Sequence, residues 1–556
     1  MDDALSGEGI DRHEAASRPR LKQLIRISPW GAGVVFLSAL ICLPIVGVLL
    51  HLTDSGPEWT HLVETVLPGY LLNTAVLVVS VTLVVLLLGI APAWLVTVYE
   101  FPGRAFFSWA LILPLALPTY VAAFVYYQGP EAAIPFLIWV RTEISVDAFI
   151  TAELVIRYGL LIVMMGAVLF PYVYLASRSA FSQQGRTLIE AARCLGDSPG
   201  RIFFKVAIPL GRPAIVAGAA LVIMEVINDY GAVHFFGVPT LTEGIFRTWF
   251  GMGDKVSALR LASIVMLGVA MLLILEKLLR GRARYVEAGA PTVPLARVRL
   301  GRGKAVPAFL VCLFPLALGF LYPVARLTQW AWLNLTSERG VSIPFGESLL
   351  RGLALALGTA VIVTLLAAIF SFAVRLRETP LRRGLSRLSG LGYATPGAVI
   401  AVGVLVVFGA LDRLGNSFLP LFSGTLFVIG FAYLVRFFAI PLQLSHAAMD
   451  RLGSSLSEAS RLLGKAPMAT FMRIELPLLR GPLIAAGMLL FVDILKELPL
   501  TLILRPANFE TLATISFSLA SEARLQACAV PSLMIVAAGA AGLIIMNRWL
   551  SPSANP

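Results

Sequence analysis

Apolar residues in this chain fall into long blocks separated by short polar stretches. The blocks predict spans near residues 31–51, 69–98, 106–128, 154–178, 213–235 and 258–280. A second set follows near 305–327, 346–374, 387–410, 421–445, 481–503 and 525–549. Each block reaches about twenty residues, enough for a helix to cross a ~30 Å hydrocarbon core. Short alternating segments of the kind a β-barrel would show are absent. The expectation is an all-α polytopic membrane protein with about twelve transmembrane helices.

Two of the polar stretches repeat one another. Thr187-Leu188-Ile189-Glu190-Ala191-Ala192-Arg193-Cys194-Leu195-Gly196-Asp197-Ser198-Pro199 runs on to Ile208-Pro209-Leu210. Ser455-Leu456-Ser457-Glu458-Ala459-Ser460-Arg461-Leu462-Leu463-Gly464-Lys465-Ala466-Pro467 runs on to Leu476-Pro477-Leu478. Glu190 and Glu458, Gly196 and Gly464, Pro199 and Pro467, and Pro209 and Pro477 all share a spacing of 268. Glu100, Pro102 and Pro118 match Glu378, Pro380 and Pro396 at a spacing of 278, so the second half is shorter by ten in the outer loop near 129–150. With six spans per copy the halves share one orientation and are related by a pseudo-twofold axis along the membrane normal. The organisation read from this is a tail (1–28), a first six-helix repeat (29–280), a basic linker (281–304) and a second repeat (305–550).

Each repeated loop carries helix punctuation. Thr187-x-x-Glu190 and Ser455-x-x-Glu458 fit capping boxes, and Gly196 and Gly464 suit the left-handed turn that ends a helix. Pro199 and Pro467 suit the first position of a second short helix. Pro209 and Pro477 are expected to close the loop before the next span. A surface presented twice about a twofold axis implies a partner with two copies of a docking site; a merely amphipathic loop would not need to occur twice.

Charge orients the chain. Of the 44 lysines and arginines, 31 lie in the tail, at Arg104, in the loop at 178–212, in the segment at 277–304, in the turn at 375–387, in the loop at 446–480 and at Arg548. The loop at 52–68 has none. Both termini and both repeated loops are therefore expected on the cytoplasmic side. The net charge of +12 then belongs to loops beside lipid headgroups, and no nucleic-acid partner is expected. The tail holds five acids and five bases and does not read as a signal peptide. Cys42, Cys194, Cys312 and Cys528 are isolated, which predicts neither disulfides nor a zinc site. The five histidines are scattered, with no second ligand at helical spacing.

The spans after the loops carry acids. Glu225 pairs with Asp493 and Asp229 with Glu497 across the repeat, and each half has its two acids at i, i+4 on one helix face. Counted from Pro213, Glu225 lies roughly 18 Å and Asp229 roughly 24 Å along its span, in the outer half. A carboxylate there is costly unless it faces the bundle interior or a water-filled cavity. The four acids either line a cation pathway or are packing groups and paired charges, with Lys496 partnering Asp493 at i, i+3. Arg157 and Arg436 are both candidate counter-charges.

Glu190-Ala191-Ala192 with Gly196 and Ile208-Pro209 resembles the EAA loop of ABC importer permeases. Glu458-Ala459 with Gly464 and Leu476-Pro477 resembles it again, with Ser460 where the motif prefers alanine. The resemblance implies the permease fold, in two parallel repeats fused in one chain. It also implies docking of each loop (Glu190, Ala191, Ala192, Gly196, Pro209; Glu458, Ala459, Gly464, Pro477) into one of two copies of an ABC ATPase subunit. No G-x-x-x-x-G-K-[ST] occurs in the chain, so it has no P-loop of its own. ATP and magnesium would be held by the partner, with no cofactor bound by this chain. Asn228-Asp229-Tyr230-Gly231-Ala232-Val233, Phe236-Gly237-Val238-Pro239-Thr240 and Gly244-Ile245-Phe246-Arg247-Thr248-Trp249 resemble ferric-iron importer permeases. So does Asp493-Ile494-Leu495-Lys496-Glu497-Leu498-Pro499, continuing through Leu504-Arg505-Pro506-Ala507-Asn508-Phe509-Glu510-Thr511-Leu512-Ala513. The function implied is the non-catalytic membrane subunit of an ATP-driven importer in a bacterial inner membrane, taking ferric iron from a periplasmic substrate-binding protein. Hard Fe(III) suits carboxylate oxygens. Importers of thiamine, 2-aminoethylphosphonate or polyamines have a similar layout, and polyamines also suit carboxylates. The reading of another class is a secondary transporter with parallel repeats. A membrane enzyme would need a nucleophile–base pair or a metal-ligand cluster, and the sequence shows neither.

Overall fold

The computed structural model describes residues 29–184, 186–280, 297–337, 345–414, 422, 424–453 and 455–550. The tail, residues 281–296 of the linker, residues 338–344 and most of 415–423 lie outside them. Ten helices among the described residues are long and apolar enough to span a membrane, and two bent pairs bring the total to twelve. The chain is an all-α polytopic membrane protein, and each of the twelve blocks coincides with one of these elements. Their outward faces carry exposed apolar side chains such as Phe36, Leu72, Leu87, Met271 and Leu350, as helices facing lipid must.

The halves interlock. The first span, Pro29–Leu49, packs on Phe345–Leu376, Pro380–Ser389 and Gly397–Leu414 of the second half. Ser389 there donates to the Ser38 hydroxyl at 2.9 Å. Gly403 is required at this crossing, since a Cβ would stand 2.5 Å from the Pro44 carbonyl oxygen. The counterpart, Arg302–Thr336, packs on Leu67–Val98, Thr119–Tyr126 and Val146–Gln184 of the first half, where Tyr126 donates to the Leu318 carbonyl at 2.8 Å. Just before it, Val298–Arg299 pairs in parallel with Tyr99–Glu100, and Arg297 and Arg104 both reach Glu100.

Both copies break their helices at equivalent places. The third span of the first half bends by 89° between Ala116 and Thr119, around Pro118. In the second half, the 3-10 turn Leu391–Tyr393 and Pro396 separate Pro380–Ser389 from Gly397–Leu414. Proline supplies no N–H and holds the preceding residue extended, so a helix stops there. The fifth span ends at Asn228 and resumes as Gly231–Phe235; the eleventh ends at Leu495 and resumes as Pro499–Leu504.

This corrects the expectation of one continuous acid-bearing face. Asp229 is extended at the break, and its Oδ1 accepts from the Ala232 and Val233 N–H groups at 2.9 and 3.2 Å. Glu497 Oε1 accepts from the Leu500 N–H at 3.1 Å. Each carboxylate satisfies free backbone donors of the next short helix, so the i, i+4 spacing is not one face. The longer first-half connection near 129–150 is mostly helical: Gly129–Glu143 packs on Val146–Gln184.

Asp254, just before the sixth span, ties its loop to the one after the first span, accepting from Glu58 N at 3.1 Å and Ser257 Oγ at 2.6 Å. Arg260 lies 4.1 Å over the Trp59 ring and donates to Ser55 Oγ at 2.6 Å.

Candidate functional site

The four breaks meet at the centre. They border a partly open cavity that is lined by Glu225, Asp229, Asp493 and Glu497 together with Arg436 and Lys496. All four sequence-predicted acids are thus brought together, two from each half. Arg157 is not among the lining residues; Arg436 is.

The two halves satisfy their acids differently. In the first half Thr119 donates its hydroxyl to Asp229 Oδ2, and Tyr172 approaches Glu225 Oε1 at 3.5 Å. In the second half Lys496 Nζ lies 2.9 Å from Asp493 Oδ1 and Arg436 Nη1 lies 3.4 Å from Glu497 Oε1. Asp493 and Glu497 are buried, as is Arg436. At the repeat spacings, Arg436 stands where the first half has Val168, Lys496 where it has Asn228, and Tyr393 where it has Leu115. Four acids against two bases leave carboxylates in excess, and both bases come from one half. The i, i+3 pairing of Lys496 with Asp493 is present, and so is the cavity; the second-half acids are ion-paired and line the cavity at once.

Gly397 is what permits the second-half pair. It is the repeat counterpart of Thr119, one position beyond the Pro118–Pro396 match. A Cβ at Gly397 would lie 1.8 Å from Arg436 Nη1 and 2.9 Å from Glu497 Oε1. Where the first half fills the space with a hydroxyl, the second leaves it empty for a guanidinium. Sequence reading missed Gly397, Thr119, Tyr172 and Tyr393. Extending the Pro118–Pro396 match by one residue would have exposed the Thr119–Gly397 exchange.

The repeated loops fold alike. Arg186–Cys194 and Ser455–Leu462 end in left-handed glycines, with Gly196 at φ +81° and Gly464 at φ +72°. Asp197 N donates to Ala192 O at 3.1 Å and Gly196 N to Arg193 O at 3.0 Å; Lys465 to Ser460 and Gly464 to Arg461 repeat this at 3.2 and 2.9 Å. These paired bonds satisfy the last carbonyls of a helix that ends in a glycine turn. Pro199 and Pro467 begin the second short helices, as expected.

Two expectations change here. The helices already include Thr187 and Ser455, so neither is the flanking residue of a capping box; the Thr187 side chain lies outside the described residues. Nor do Pro209 and Pro477 close the loops, because the second helices run on into the spans as Pro199–Asn228 and Pro467–Leu495. A widened turn, Phe203–Ala207 or Phe471–Glu475, precedes each proline, which lets the helix continue past a residue with no N–H.

The loop apices are apolar and exposed: Leu195 is 84% accessible, Leu462 90% and Leu463 79%. Inside the loops, the motif position held by buried Ala192 beside buried Ile202 is held in the second copy by Ser460, whose hydroxyl meets Thr470 Oγ1 at 2.8 Å. Serine replaces alanine without an unpaired hydroxyl because its neighbour changes too.

A duplicated membrane bundle with two similarly folded loops and a charged cavity between its halves defines a transporter membrane subunit. The model for the binding-protein-dependent transport system inner membrane component matches residues 85–285 and 360–555, and the chain belongs to that family of ABC importer permeases. It is a non-catalytic component of the inner membrane. An Fe(3+)-transport system permease protein of Haemophilus influenzae is 28% identical over 313 residues, 55% of this chain and 56% of that protein; the chain thus matches about half the length of that relative. A probable sulfate transport system permease protein of Chlorokybus atmophyticus is 31% identical over 38% of this chain and 72% of its own length. A molybdenum transport system permease protein of Escherichia coli is 30% identical over 34% and 84%.

Proposed function

We propose that this chain carries ferric iron inward, from a periplasmic binding protein to the cytoplasm, through the cavity between its halves. The observation that carries this reading is the convergence of Glu225, Asp229, Asp493 and Glu497 on one cavity in which they outnumber the bases. Carboxylate oxygens suit a hard trivalent ion, and a buried, wet acid cluster is a substrate path by default. The similarity to an Fe(3+)-transport permease agrees. Among the described residues no three His, Cys, Asp or Glu side chains form a ready metal cage, which suits an ion in transit better than one held in place.

In this reading the face bearing the repeated loops is cytoplasmic. Each loop docks, through Glu190, Ala191, Ala192 and Gly196 or Glu458, Ala459 and Gly464, into one of two ATPase subunits that hold ATP and magnesium. The exposed Leu195, Leu462 and Leu463 are the apolar part of that contact. Because each loop helix continues into an acid-bearing span, drawing the loops together turns both cavity walls.

Arg436 and Lys496 favour a second reading, an oxyanion such as sulfate or molybdate, which the other relatives' names support. Both bases are engaged by acids of their own half, so ferric iron is preferred. Proteoliposomes holding the chain, its ATPase and the loaded binding protein should take up radiolabelled iron only with ATP, and Glu225→Gln should reduce that uptake at least tenfold while the complex still assembles. Uptake without ATP would point to a secondary transporter, and ATP-driven uptake of sulfate instead of iron would establish the second reading.

A further inference from the structure

The cavity contains a cation already, and its position is informative. Lys496 Nζ sits 2.9 Å from Asp493 Oδ1 in its own half and 3.4 Å from the Leu115 carbonyl oxygen in the other half. Leu115 lies in the 3-10 turn Leu113–Ala116, and Pro118, which would be its donor three residues on, has no N–H. The carbonyl is therefore aimed at a cation. Asp493, Glu225 and Glu497 are the electrostatic neighbours of the ammonium, and Tyr172 and Tyr393 line the same space. The first half has no such device, because Asn228 holds the equivalent position.

Resting on the reading of the cavity as a cation path, we propose that Lys496 is a tethered stand-in for the substrate: its ammonium fills a cation subsite made by Asp493 and the Leu115 carbonyl, and a hard multivalent cation displaces it during transport. Two consequences follow from the geometry. An empty cavity is partly neutralised from within, which lowers the cost of holding buried carboxylates without cargo. The Lys496–Leu115 contact also ties one half to the other, so displacing the ammonium loosens the halves at the moment cargo is present. Lys496 thus acts as a positioning residue that reports occupancy.

The test uses terbium(III), a hard trivalent ion that prefers oxygen ligands and whose emission is sensitised by nearby tyrosines. The full chain, in phosphatidylcholine nanodiscs with its ATPase, is titrated with terbium and tyrosine-sensitised emission is read. Lys496→Asn is the variant of choice because it installs the residue the first half already accommodates, and Lys496→Ala is the second. Each should bind terbium at least tenfold more tightly than the parent, Lys496→Arg should restore weak binding, and adding Asp493→Asn to Lys496→Asn should abolish the gain. An unchanged titration for both neutral variants would overturn the proposal, as would a gain that survives loss of Asp493. Iron uptake is scored separately: a terbium gain without iron transport by the parent would leave the subsite standing and remove the ferric reading.

Discussion

Gly397→Ala probes the cavity through one methyl group. The new Cβ would stand 1.8 Å from Arg436 Nη1, inside any tolerable contact. Non-bonded heavy atoms settle near about 3.5 Å, so the guanidinium must retreat by roughly 1.5 Å or more. If it moves straight away from a starting separation of 3.4 Å, its distance from Glu497 grows to about 5 Å, and at an effective dielectric of about 20 the attraction falls from about 4.9 to about 3.3 kcal/mol. The loss is about 1.6 kcal/mol. Removing the charge with Arg436→Met leaves Glu497 buried and unpaired, at a cost of about 3–5 kcal/mol. The two changes should not add. Once Arg436 is Met, the methyl group meets no guanidinium and only its 2.9 Å approach to Glu497 Oε1 remains, so Gly397→Ala should cost clearly less in that background. The assay is the inactivation half-life of the solubilised complex at fixed temperature. If the lost attraction is felt before the unfolding barrier, Gly397→Ala shortens it about tenfold in the parent and much less in Arg436→Met. An equal shortening in both backgrounds would refute the reasoning, because the glycine would then be needed for something other than the ion pair.

Gly196→Val and Gly464→Val place a β-branched residue at positive φ, a strain of at least about 1–2 kcal/mol each, although no atom lies within 4 Å of either Cβ position. Each should weaken co-purification of the ATPase while membrane insertion is unchanged. Thr470→Ile should cost about 1 kcal/mol by stranding the Ser460 hydroxyl, and adding Ser460→Ala, which recreates the Ala192–Ile202 arrangement, should recover it in the same inactivation assay. Asp254 is burdened by burial, but donors from Ser257, Glu58 and Val256 outweigh this and hold its carboxyl below the usual aspartate range. A depressed value stabilises the folded form above about pH 4 and loses that contribution as pH falls through it. Protease cleavage within residues 52–58 should therefore rise on acidification, and in Asp254→Asn should be high at neutral pH and flat with pH.

The twelve spans and the duplication were legible because each depends on pattern alone: apolar length for the spans and a fixed spacing of prolines and glycines for the repeat. The helix stops at Gly196 and Gly464 were legible for the same reason, since a positive φ is a local demand. What escaped was non-local. Asp229 and Glu497 look like members of a continuous helix until the break is seen, and only the break makes them caps. The choice of Arg436 over Arg157 as counter-charge depends on which span faces the cavity. The role of Gly397 depends on a side chain carried by a different helix, Leu426–Phe437. The Ser460–Thr470 exchange was visible as a departure from the motif, but its compensation lay across a turn.

The crossing of the first spans has a cost in time as well as in space. Pro29–Leu49 packs on helices of the second half, the last of which ends at Leu414. At about 5–20 residues per second, the ribosome needs roughly twenty to seventy seconds to supply the chain between Leu49 and Leu414. Throughout that interval the first span has its contact with Lys255–Arg280 but lacks its second-half neighbours, and Ser38 has no Ser389 to pair with. The first half is therefore an obligatory waiting intermediate, complete in sequence yet unfinished in packing.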